Sequence, residues 1–293
     1  MALAERHHLA IISADSRQIY AGFDIGTAKP SAHDRARVPH FGIDVIDPML
    51  RYSAFQWAAD VAQWERAALD LGRRPVIVGG SGFYVRAFVS PFDAASPTTE
   101  QARDALNQWL SQLSGAELQR WCGRLDPTRA TLGRTQQLRA VETALLLGTR
   151  VSDSFRSERE VARADPTART SAARYLVVDP GPLLATRITE RTRGMLASGW
   201  VAEIEALMTR VPEEAPAWGA SGYRALRDAI VGGGSRDAAI ERVVIETRQY
   251  AKRQRTWCRH QLPTEQVTQI DSSAPDALER ASAWWESDDE RRS

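Results

Sequence analysis

Two short apolar runs, each ending in a turn of small residues, constrain the fold of this chain most strongly. The first, Leu9–Ile12, leads into Ser13–Ser16, and the second, Val76–Val78, leads into the glycine-rich turn Gly79–Gly82. Continuous apolar strands of this length are typical of parallel sheets that are buried on both faces. A strand followed by a glycine turn and a helix is the repeating unit of doubly wound α/β folds. The sequence therefore predicts an α/β core that binds its ligands at the carboxyl ends of the strands.

Most of the remaining sequence of the core shows the apolar periodicity of helices. We expect helices at Met1–Arg6 and Ser53–Leu71 and a second strand within Val38–Asp47. Residues 173–181 return to strand character, and the segments after them are predicted to be helical. These segments are Leu183–Ser198, Trp200–Val211, Tyr223–Ile230 and Arg236–Gln261. The tail from Asp271 to Ser293 shows no informative pattern.

The middle of the chain interrupts the α/β rhythm. Glu100–Leu147 predicts several helices separated by glycine and proline, and residues 151–171 form a polar segment that predicts a mobile surface link. We therefore predict two domains in the 293 residues. Residues 1–93 and 172–293 form the α/β core with its C-terminal helices, and residues 94–171 form a helical insertion.

Composition narrows the class of protein. The net charge is only +1, and lysine occurs only at Lys29 and Lys252, so arginine supplies nearly all positive charge. This usage reflects either a genome-wide codon bias or a use for guanidinium forks, which match phosphate geometry. The two cysteines, Cys122 and Cys258, fit neither a zinc site nor a disulfide framework. Without a signal peptide or an apolar run of about 18 residues, we expect a cytoplasmic protein with no membrane partner.

Three polar segments near the predicted strand ends are candidates for chemistry. Asp15 can hold a magnesium ion, orient a substrate or act as a base, and it can equally cap a turn. The loop Phe23–Pro30 offers the hydroxyl of Thr27 and the ammonium of Lys29, and is either a phosphate cradle or an ordinary surface loop. The turn Gly79–Gly82 either lets a ligand approach the backbone or simply ends a strand.

The C-terminal helix carries a stripe of cations. Arg248, Lys252, Arg255 and Arg259 follow helical spacing, so they share one face, and no acid lies between residues 247 and 263 to neutralise them. This face is either a solvated surface or a surface that binds phosphates. A second face is predicted to pack inward through Val243, Thr247, Tyr250, Gln254 and Trp257.

Taken together, four segments resemble the tRNA dimethylallyltransferase (tRNA isopentenyltransferase) family. In chain order they are "ISADSRQIYAGFDIGTAKP", "VIVGGSGFY", "ASGYRAL" and "TRQYAKRQRTW". The resemblance implies a P-loop-kinase-like parallel sheet core with a helical insertion that grips the anticodon arm of tRNA. It also implies transfer of a five-carbon group from dimethylallyl diphosphate to N6 of the adenosine at tRNA position 37, assisted by Mg²⁺. The family is often described as ATP-binding because of its core.

The resemblance also implies roles for individual residues. Asp15, Thr27 and Arg224 match its catalytic positions, with Asp15 as the general base that accepts a proton from the N6 amine. Its tRNA-binding positions fall on Asp15, Ser16, Arg17, Gln18, Ser81, Arg103, Gln136 and Arg139. Its diphosphate-binding positions fall on Lys29, Arg224, Arg248 and Lys252.

This sequence departs from the family pattern in several places. Gln136 stands where the family has an arginine, Ala225 replaces a polar residue, and Phe83 replaces a leucine. The family also begins with a strand and a phosphate loop of the form G-P-T-x-S-G-K-[ST], and no counterpart precedes "ALAERHHLAIISADS". We expect the natural protein to be longer. If it begins at Met1, we expect tRNA binding to persist and prenyl transfer to be very weak.

Two other functions remain open from the sequence. A kinase on the same core would need a Walker A loop, which the chain lacks. A tRNA-binding remnant without catalysis would keep the cations of the C-terminal helix but would have no use for Asp15, Thr27 and Lys29, all of which are present. We expect the chain to be a monomer.

Overall fold

The computed structural model describes residues 1–89, 100–153 and 173–292, except for the side chains of residues 100–104, 147 and 288–292. The chain divides into two compact units, one formed by Met1–Phe88 with Arg174–Ser293 and the other by Val89–Ala173. The predicted domain boundaries, after residue 93 and before residue 172, fall outside the described residues. An α/β core and a helical second unit are nevertheless both present, and the grip on tRNA stays a prediction.

A three-stranded parallel sheet forms the centre of the first unit. Strand β1 (Leu9–Ser13) lies between β2 (His40–Phe41) and β3 (Arg74–Val78). Every residue of β1 is buried, as its apolar run predicts. Strand β2 is much shorter than the Val38–Asp47 segment from which we predicted it. The backbone turns away at Gly42 and Asp44, whose φ values of 73° and 55° lie in the left-handed region.

Four helices alternate with these strands along the chain. They are α1 (Ala2–Arg6), α2 (Ala32–Arg37), α3 (Ala54–Asp70) and α4 (Gly82–Val89). Helix α3 begins at a capping box in which Ser53 and Gln56 satisfy each other's backbone N–H groups. Its Trp57 is fully buried and donates its indole N–H to the carbonyl of Ser13 at 2.9 Å. This bond fixes α3 against the carboxyl end of β1.

The C-terminal part of the first unit adds a second sheet and five helices. Strands β4 (Tyr175–Asp179) and β5 (Val267–Asp271) pair in parallel. The helices are α8 (Leu184–Ala197), α9 (Trp200–Met208), α10 (Tyr223–Val231), α11 (Arg236–Gln261) and α12 (Ala277–Arg292). The prediction of a purely helical end was therefore wrong, because β5 buries only Ile270 and carries little apolar signal.

Helices α11 and α12 connect the two sheets at opposite ends of their strands. At the carboxyl ends, Gln254 of α11 bonds the carbonyl of Gly80 after β3, and the adjacent Arg255 bonds Asp179 of β4. At the amino ends, neighbouring tryptophans of α12 carry the guanidinium groups of Arg74 and Arg174 on their rings. The tail that looked uninformative in the sequence therefore fixes the start of both strands.

Strand β3 is less buried than its composition predicts. All five of its residues are half-buried or exposed, and Val78 is 49% exposed. Within the described residues β3 pairs only with β1, and β4 pairs only with β5, so each strand has one edge without a ladder partner. The prediction that a first strand and phosphate loop are missing from the chain is not tested by this arrangement.

The second unit is helical, as predicted. Its helices are α5 (Glu100–Gln112), α6 (Gly115–Leu125) and α7 (Arg134–Leu147), and they enclose a small core of Leu110, Leu118, Cys122, Ala140 and Val141. The surface link predicted at residues 151–171 lies almost entirely outside the described residues. None of the helices that the structure describes is both long and apolar enough to span a bilayer.

Candidate active site

The carboxyl ends of β1 and β3 meet, and they bring three predicted site residues together. The hydroxyl of Ser81 accepts the backbone N–H of Ser16 at 3.0 Å and lies 3.2 Å from the Ser16 hydroxyl. The backbone N–H of Ser81 in turn donates to the carbonyl of Ala14 at 3.1 Å. Asp15 therefore lies at the junction of two parallel strands, where α/β sheets bind their ligands.

Asp15 makes the cap contact that its position allowed. Its Oδ1 accepts the backbone N–H of Arg17 at 2.8 Å, and the carboxylate is half-buried. Its second oxygen, Oδ2, has no hydrogen bond to any described residue, so it is available to a ligand. The capping and the catalytic interpretations are compatible, because they use different oxygens of one carboxylate; the catalytic role stays a prediction.

Gln18 connects the strand end to the loop that follows. Its Oε1 accepts the hydroxyl of Ser13 at 2.9 Å, and its Nε2 donates to the carbonyls of Thr27 and Ala28, both at 3.2 Å. Three bonds to protein groups leave this amide little capacity for the adenine pocket assigned to it. Arg17, by contrast, is exposed, and it has the freedom to contact RNA.

The two functional groups predicted for the phosphate cradle both have internal partners. Thr27 is buried, and its hydroxyl donates to the carbonyl of Phe23 at 2.6 Å. The ammonium of Lys29, whose side chain is 2% exposed, bonds Asp24, Asp44 and the carbonyl of Tyr20 at 2.5–2.6 Å. Both groups therefore hold the loop together in this structure. A catalytic Thr27 or a diphosphate-binding Lys29 would need these bonds to break, and both roles stay predictions.

This geometry predicts that Lys29 is important for stability. Replacing it by Met should lower the free energy of unfolding by about 2–3 kcal/mol, because two carboxylates would lose their shared cation. Urea unfolding measures the effect. Lys252→Met is the matched control, since Lys252 is exposed and has no ion pair among the described residues; it should change stability by less than about 0.5 kcal/mol. Equal stability of the two variants would contradict the assignment.

The same variant has an expected pH signature. Burial raises the pKa of the Asp44 carboxyl, but hydrogen bonds from Lys29 and Arg35 outweigh it and hold that pKa below its usual value. A lowered folded-state pKa stabilises the protein above the unfolded-state pKa, and this contribution is lost as the pH falls through the folded-state value. The stability difference between the parent and Lys29→Met should therefore shrink below about pH 4.

The predicted diphosphate-binding cations on α10 and α11 are accessible. Arg224, Arg248 and Lys252 are exposed and have no ion pair within the described parts of the chain. The hydroxyls of Ser221 and Thr247 lie 3.4 Å apart, which brings the start of α10 to the turn of α11 that precedes Arg248. These three cations can therefore bind an anion without first losing an ion-pair partner among the described residues.

The basic stripe on α11 is shorter than predicted. Arg255 is half-buried and bonds Asp179 and, at 2.7 Å, the carbonyl of Gly181, so an acid outside the helix neutralises it. On the inward face, Val243 is buried as predicted, whereas Tyr250 is 39% exposed. Local spacing defined both faces, but it could not show that β4 supplies a carboxylate to one of them.

The residues assigned to tRNA binding in the second unit are treated separately. Gln136 and Arg139 lie three residues apart on α7, and both are exposed. Their spacing places them on one helix face. Arg103 lies within α5, but its side chain is outside the described residues. Contact of these three residues with tRNA stays a prediction.

Sequence reasoning missed several residues of this region. Gln254 fixes the glycine turn after β3, and Glu203 and Tyr223 bind the loop at Asp24–Gly26. Tyr84 is buried, burial raises the pKa of its hydroxyl, and that hydroxyl has no hydrogen-bond partner among the described residues. Gln254, Tyr223 and Tyr84 lay within quoted motifs, and Gln254 was predicted to pack inward, but their partners were not predicted; nothing in the sequence singled out Glu203.

Comparison with known proteins places this geometry in a family. The family model described as IPP transferase matches residues 18–261. The tRNA dimethylallyltransferase of Halorhodospira halophila is 38% identical over 272 residues, which cover 89% of this chain and 85% of that protein. The corresponding enzyme of Rhodopirellula baltica is 33% identical over 277 residues, covering 92% and 81%.

A solved structure agrees with the sequence comparisons. The tRNA delta(2)-isopentenylpyrophosphate transferase of Staphylococcus epidermidis superposes with a TM-score of 0.66 at 25% identity, covering 99% of this chain and 93% of that one. The resemblance of the motifs is thus confirmed over most of the sequence and in the arrangement of its elements. This chain belongs to the IPP transferase family.

Proposed function

We propose that this chain transfers a dimethylallyl group from dimethylallyl diphosphate to N6 of the adenosine at tRNA position 37. The products are N6-(dimethylallyl)adenosine and diphosphate. The observation that carries the proposal is the 33–38% identity, over most of both chains, to proteins named tRNA dimethylallyltransferase. A carboxylate with a free oxygen at the joined strand ends supplies the base that this reaction needs.

The proposed reaction makes one bond and breaks one at C1 of the prenyl group, and it moves one proton. The N6 nitrogen forms a bond to C1 of the prenyl group, the C1–O bond breaks, and its electrons leave with the diphosphate. The N6 proton passes to Oδ2 of Asp15, because an exocyclic adenine amine is a poor nucleophile without a base. The adenosine must leave its stack to reach a site at strand ends. Arg224, Arg248 and Lys252 are the exposed cations that would stabilise the departing charge.

A magnesium ion would neutralise charge on the diphosphate when bound. The described residues contain no group of three or more side chains that could hold a metal by themselves. The described residues therefore fit a magnesium ion that is bound mainly by the substrate phosphates. Such an ion also contacts one or two carboxylates of the protein, and Asp15 is the candidate.

We propose that these substrate phosphates, rather than ATP, bind to the core. We further propose that the chain acts as a monomer in the cytoplasm, where its tRNA substrate is found.

Prenyl transfer to tRNA tests the proposal directly. The chain is incubated with unmodified tRNA, Mg²⁺ and dimethylallyl diphosphate labelled in the prenyl group, and label in the recovered tRNA is measured. We expect label in a tRNA with adenosine at position 37 and none in the same tRNA with guanosine there, because guanosine lacks the N6 amine. Adding a chelator should abolish transfer if magnesium is required.

Other outcomes separate the alternatives. Binding of tRNA without transfer of label would support a non-catalytic tRNA-binding protein. Hydrolysis of ATP or transfer of its phosphate without prenyl transfer would support a kinase on the same core. Label in the guanosine-containing tRNA would contradict the assigned acceptor atom.

A further inference from the structure

Three consecutive backbone N–H groups of the loop after β1 are bound by side chains from distant helices. The carboxylate of Glu203, on α9, accepts through Oε2 from Asp24 at 3.1 Å and from Ile25 at 2.8 Å. The hydroxyl of Tyr223, at the start of α10, accepts from Gly26 at 3.0 Å. In the loop predicted as a phosphate cradle, two backbone donors are thus already bound by a carboxylate of the protein and a third by a hydroxyl.

The same two side chains bind each other. The hydroxyl of Tyr223 donates to Oε1 of Glu203 at 2.5 Å, so both carboxylate oxygens of Glu203 are used. Burial and this hydrogen bond raise the pKa of Tyr223 far above its usual value, so the hydroxyl stays a neutral donor at any working pH. We call the group formed by Glu203, Tyr223 and the N–H groups of Asp24–Gly26 the loop latch.

The surroundings of the loop latch are rigid. The ring of Tyr223 is fully buried and contacts Phe23, Trp200 and Trp218, with ring centroids 4.8, 5.4 and 6.5 Å away. An aromatic cluster of this kind resists rotation of its members. The packing of the ring therefore restricts where the hydroxyl can lie, and it orients the hydroxyl toward the N–H of Gly26.

Helix α9 also sets the spacing between the loop and α10 through Trp200. A Cβ atom at Gly26 of the loop would lie 2.1 Å from the Trp200 Nε1, and one at Gly222 before α10 would lie 2.4 Å from its Cη2. Both backbones thus lie directly against one indole ring. Trp200 separates them by a fixed distance, and the loop latch bonds them together one helical turn further along α9.

The loop latch therefore connects two parts of the candidate site. On one side, Gln18 binds the carbonyls of Thr27 and Ala28 and ties the loop to the end of β1, beside Asp15. On the other side, Tyr223 is followed directly by Arg224, the exposed cation assigned to the leaving diphosphate. We propose that Glu203 and Tyr223 are positioning residues that hold Arg224 at a fixed distance from Asp15 during prenyl transfer. This inference rests on the proposed function for its kinetic part.

A Tyr223→Phe variant tests the proposal because it removes one oxygen and keeps the buried ring. Tyr250→Phe removes the same atom from an exposed tyrosine on α11 and is the matched control. Hydrogen–deuterium exchange of the peptide that covers residues 23–29 reports on the loop without any substrate. We expect faster exchange at residues 24–26 in Tyr223→Phe and unchanged exchange in Tyr250→Phe.

Kinetics test whether the loop latch acts through Arg224. We expect Tyr223→Phe to lower kcat by about 10- to 100-fold, since small displacements of catalytic groups have effects of this size, with KM for tRNA nearly unchanged. In a chain that already carries Arg224→Ala, the additional loss from Tyr223→Phe should be less than about threefold, because residues that act as one unit are non-additive. A purely structural role would give the same factor in both backgrounds.

Two glutamate variants of α9 test the proposal a second time, in case Tyr223→Phe does not fold. Glu203→Gln keeps an acceptor for the loop but loses the charge, and it should show a smaller change in the same direction; Glu205→Gln, on the exposed side of α9, should show none. Unchanged loop exchange in Tyr223→Phe would overturn the loop latch. If loop exchange is faster in Tyr223→Phe but its effect on kcat is the same with and without Arg224→Ala, the loop latch does not act through Arg224. If the parent chain transfers no prenyl group, the proposed function fails, and the exchange measurement alone still upholds or overturns the loop latch.

Discussion

Replacing Asp15 by Asn should slow prenyl transfer by about 10²- to 10⁴-fold, the range that a positioned general base contributes. The amide is nearly the same size as the carboxylate and can still accept the backbone N–H of Arg17, so the turn after β1 should be retained. What the amide cannot do is accept a proton from N6. The loss should therefore appear in kcat, measured by single-turnover transfer with saturating tRNA and prenyl donor, whereas tRNA affinity should change by less than about threefold.

Asp47 offers an unusually close control for this variant. Its Oδ1 accepts the backbone N–H of Met49 at 2.8 Å, which is the same turn geometry, at the same distance, as in Asp15 and Arg17. Asp47→Asn should leave transfer and stability unchanged. A rate for Asp15→Asn within about threefold of the parent would show that Asp15 is a turn cap without a catalytic role.

Strands and helices that are encoded by the side-chain pattern of a single segment were predictable from the sequence. The buried strand β1 comes from a continuous apolar run, and α11 begins and ends at the predicted residues, 236 and 261. Both depend on side-chain pattern within one segment. Strand β3 has an equally apolar sequence but is half exposed, because burial depends on which strand lies at its other edge. Sequence pattern therefore indicates whether a segment forms a strand or a helix, but not how deeply the fold buries it.

The candidate site shows the same division. The sequence placed Asp15, Ser16 and Ser81 at strand ends, and the parallel pairing of β1 with β3 brings them together. It also offered Thr27 and Lys29 as ligands for phosphate, since a hydroxyl and an ammonium beside a glycine suit that role. Their actual partners are groups of the protein itself: Phe23 of the same loop binds Thr27, and Asp44, from outside the motif, helps to bind Lys29. A polar side chain reveals its chemistry in the sequence, whereas its partner depends on the folded chain.

Gly79→Ala should be among the most destabilising single-methyl changes in this chain. A Cβ at Gly79 would lie 2.2 Å from the carbonyl oxygen of Ala14 and 2.4 Å from its carbon, so the new methyl group would meet backbone atoms that cannot rotate away. The same carbonyl accepts the N–H of Ser81, and the N–H of Ala14 bonds Val78 at 2.8 Å. Ordinary contact begins at 3.4 Å, so the ends of β1 and β3 would have to separate by more than 1 Å and lose these bonds.

We expect this change to lower the free energy of unfolding by about 3–5 kcal/mol, because overpacking here also breaks buried backbone hydrogen bonds. Urea unfolding provides the measurement, with Gly194→Ala as its counterpart. Gly194 lies inside α8 with nothing within 4 Å of an added Cβ, so alanine there should stabilise the chain by about 0.5–1 kcal/mol through its higher helix propensity. The same methyl group thus has opposite expected effects at two glycines. A Gly79→Ala chain as stable as the parent would mean that the ends of β1 and β3 are not in direct contact, and the site built on their junction would have to be abandoned.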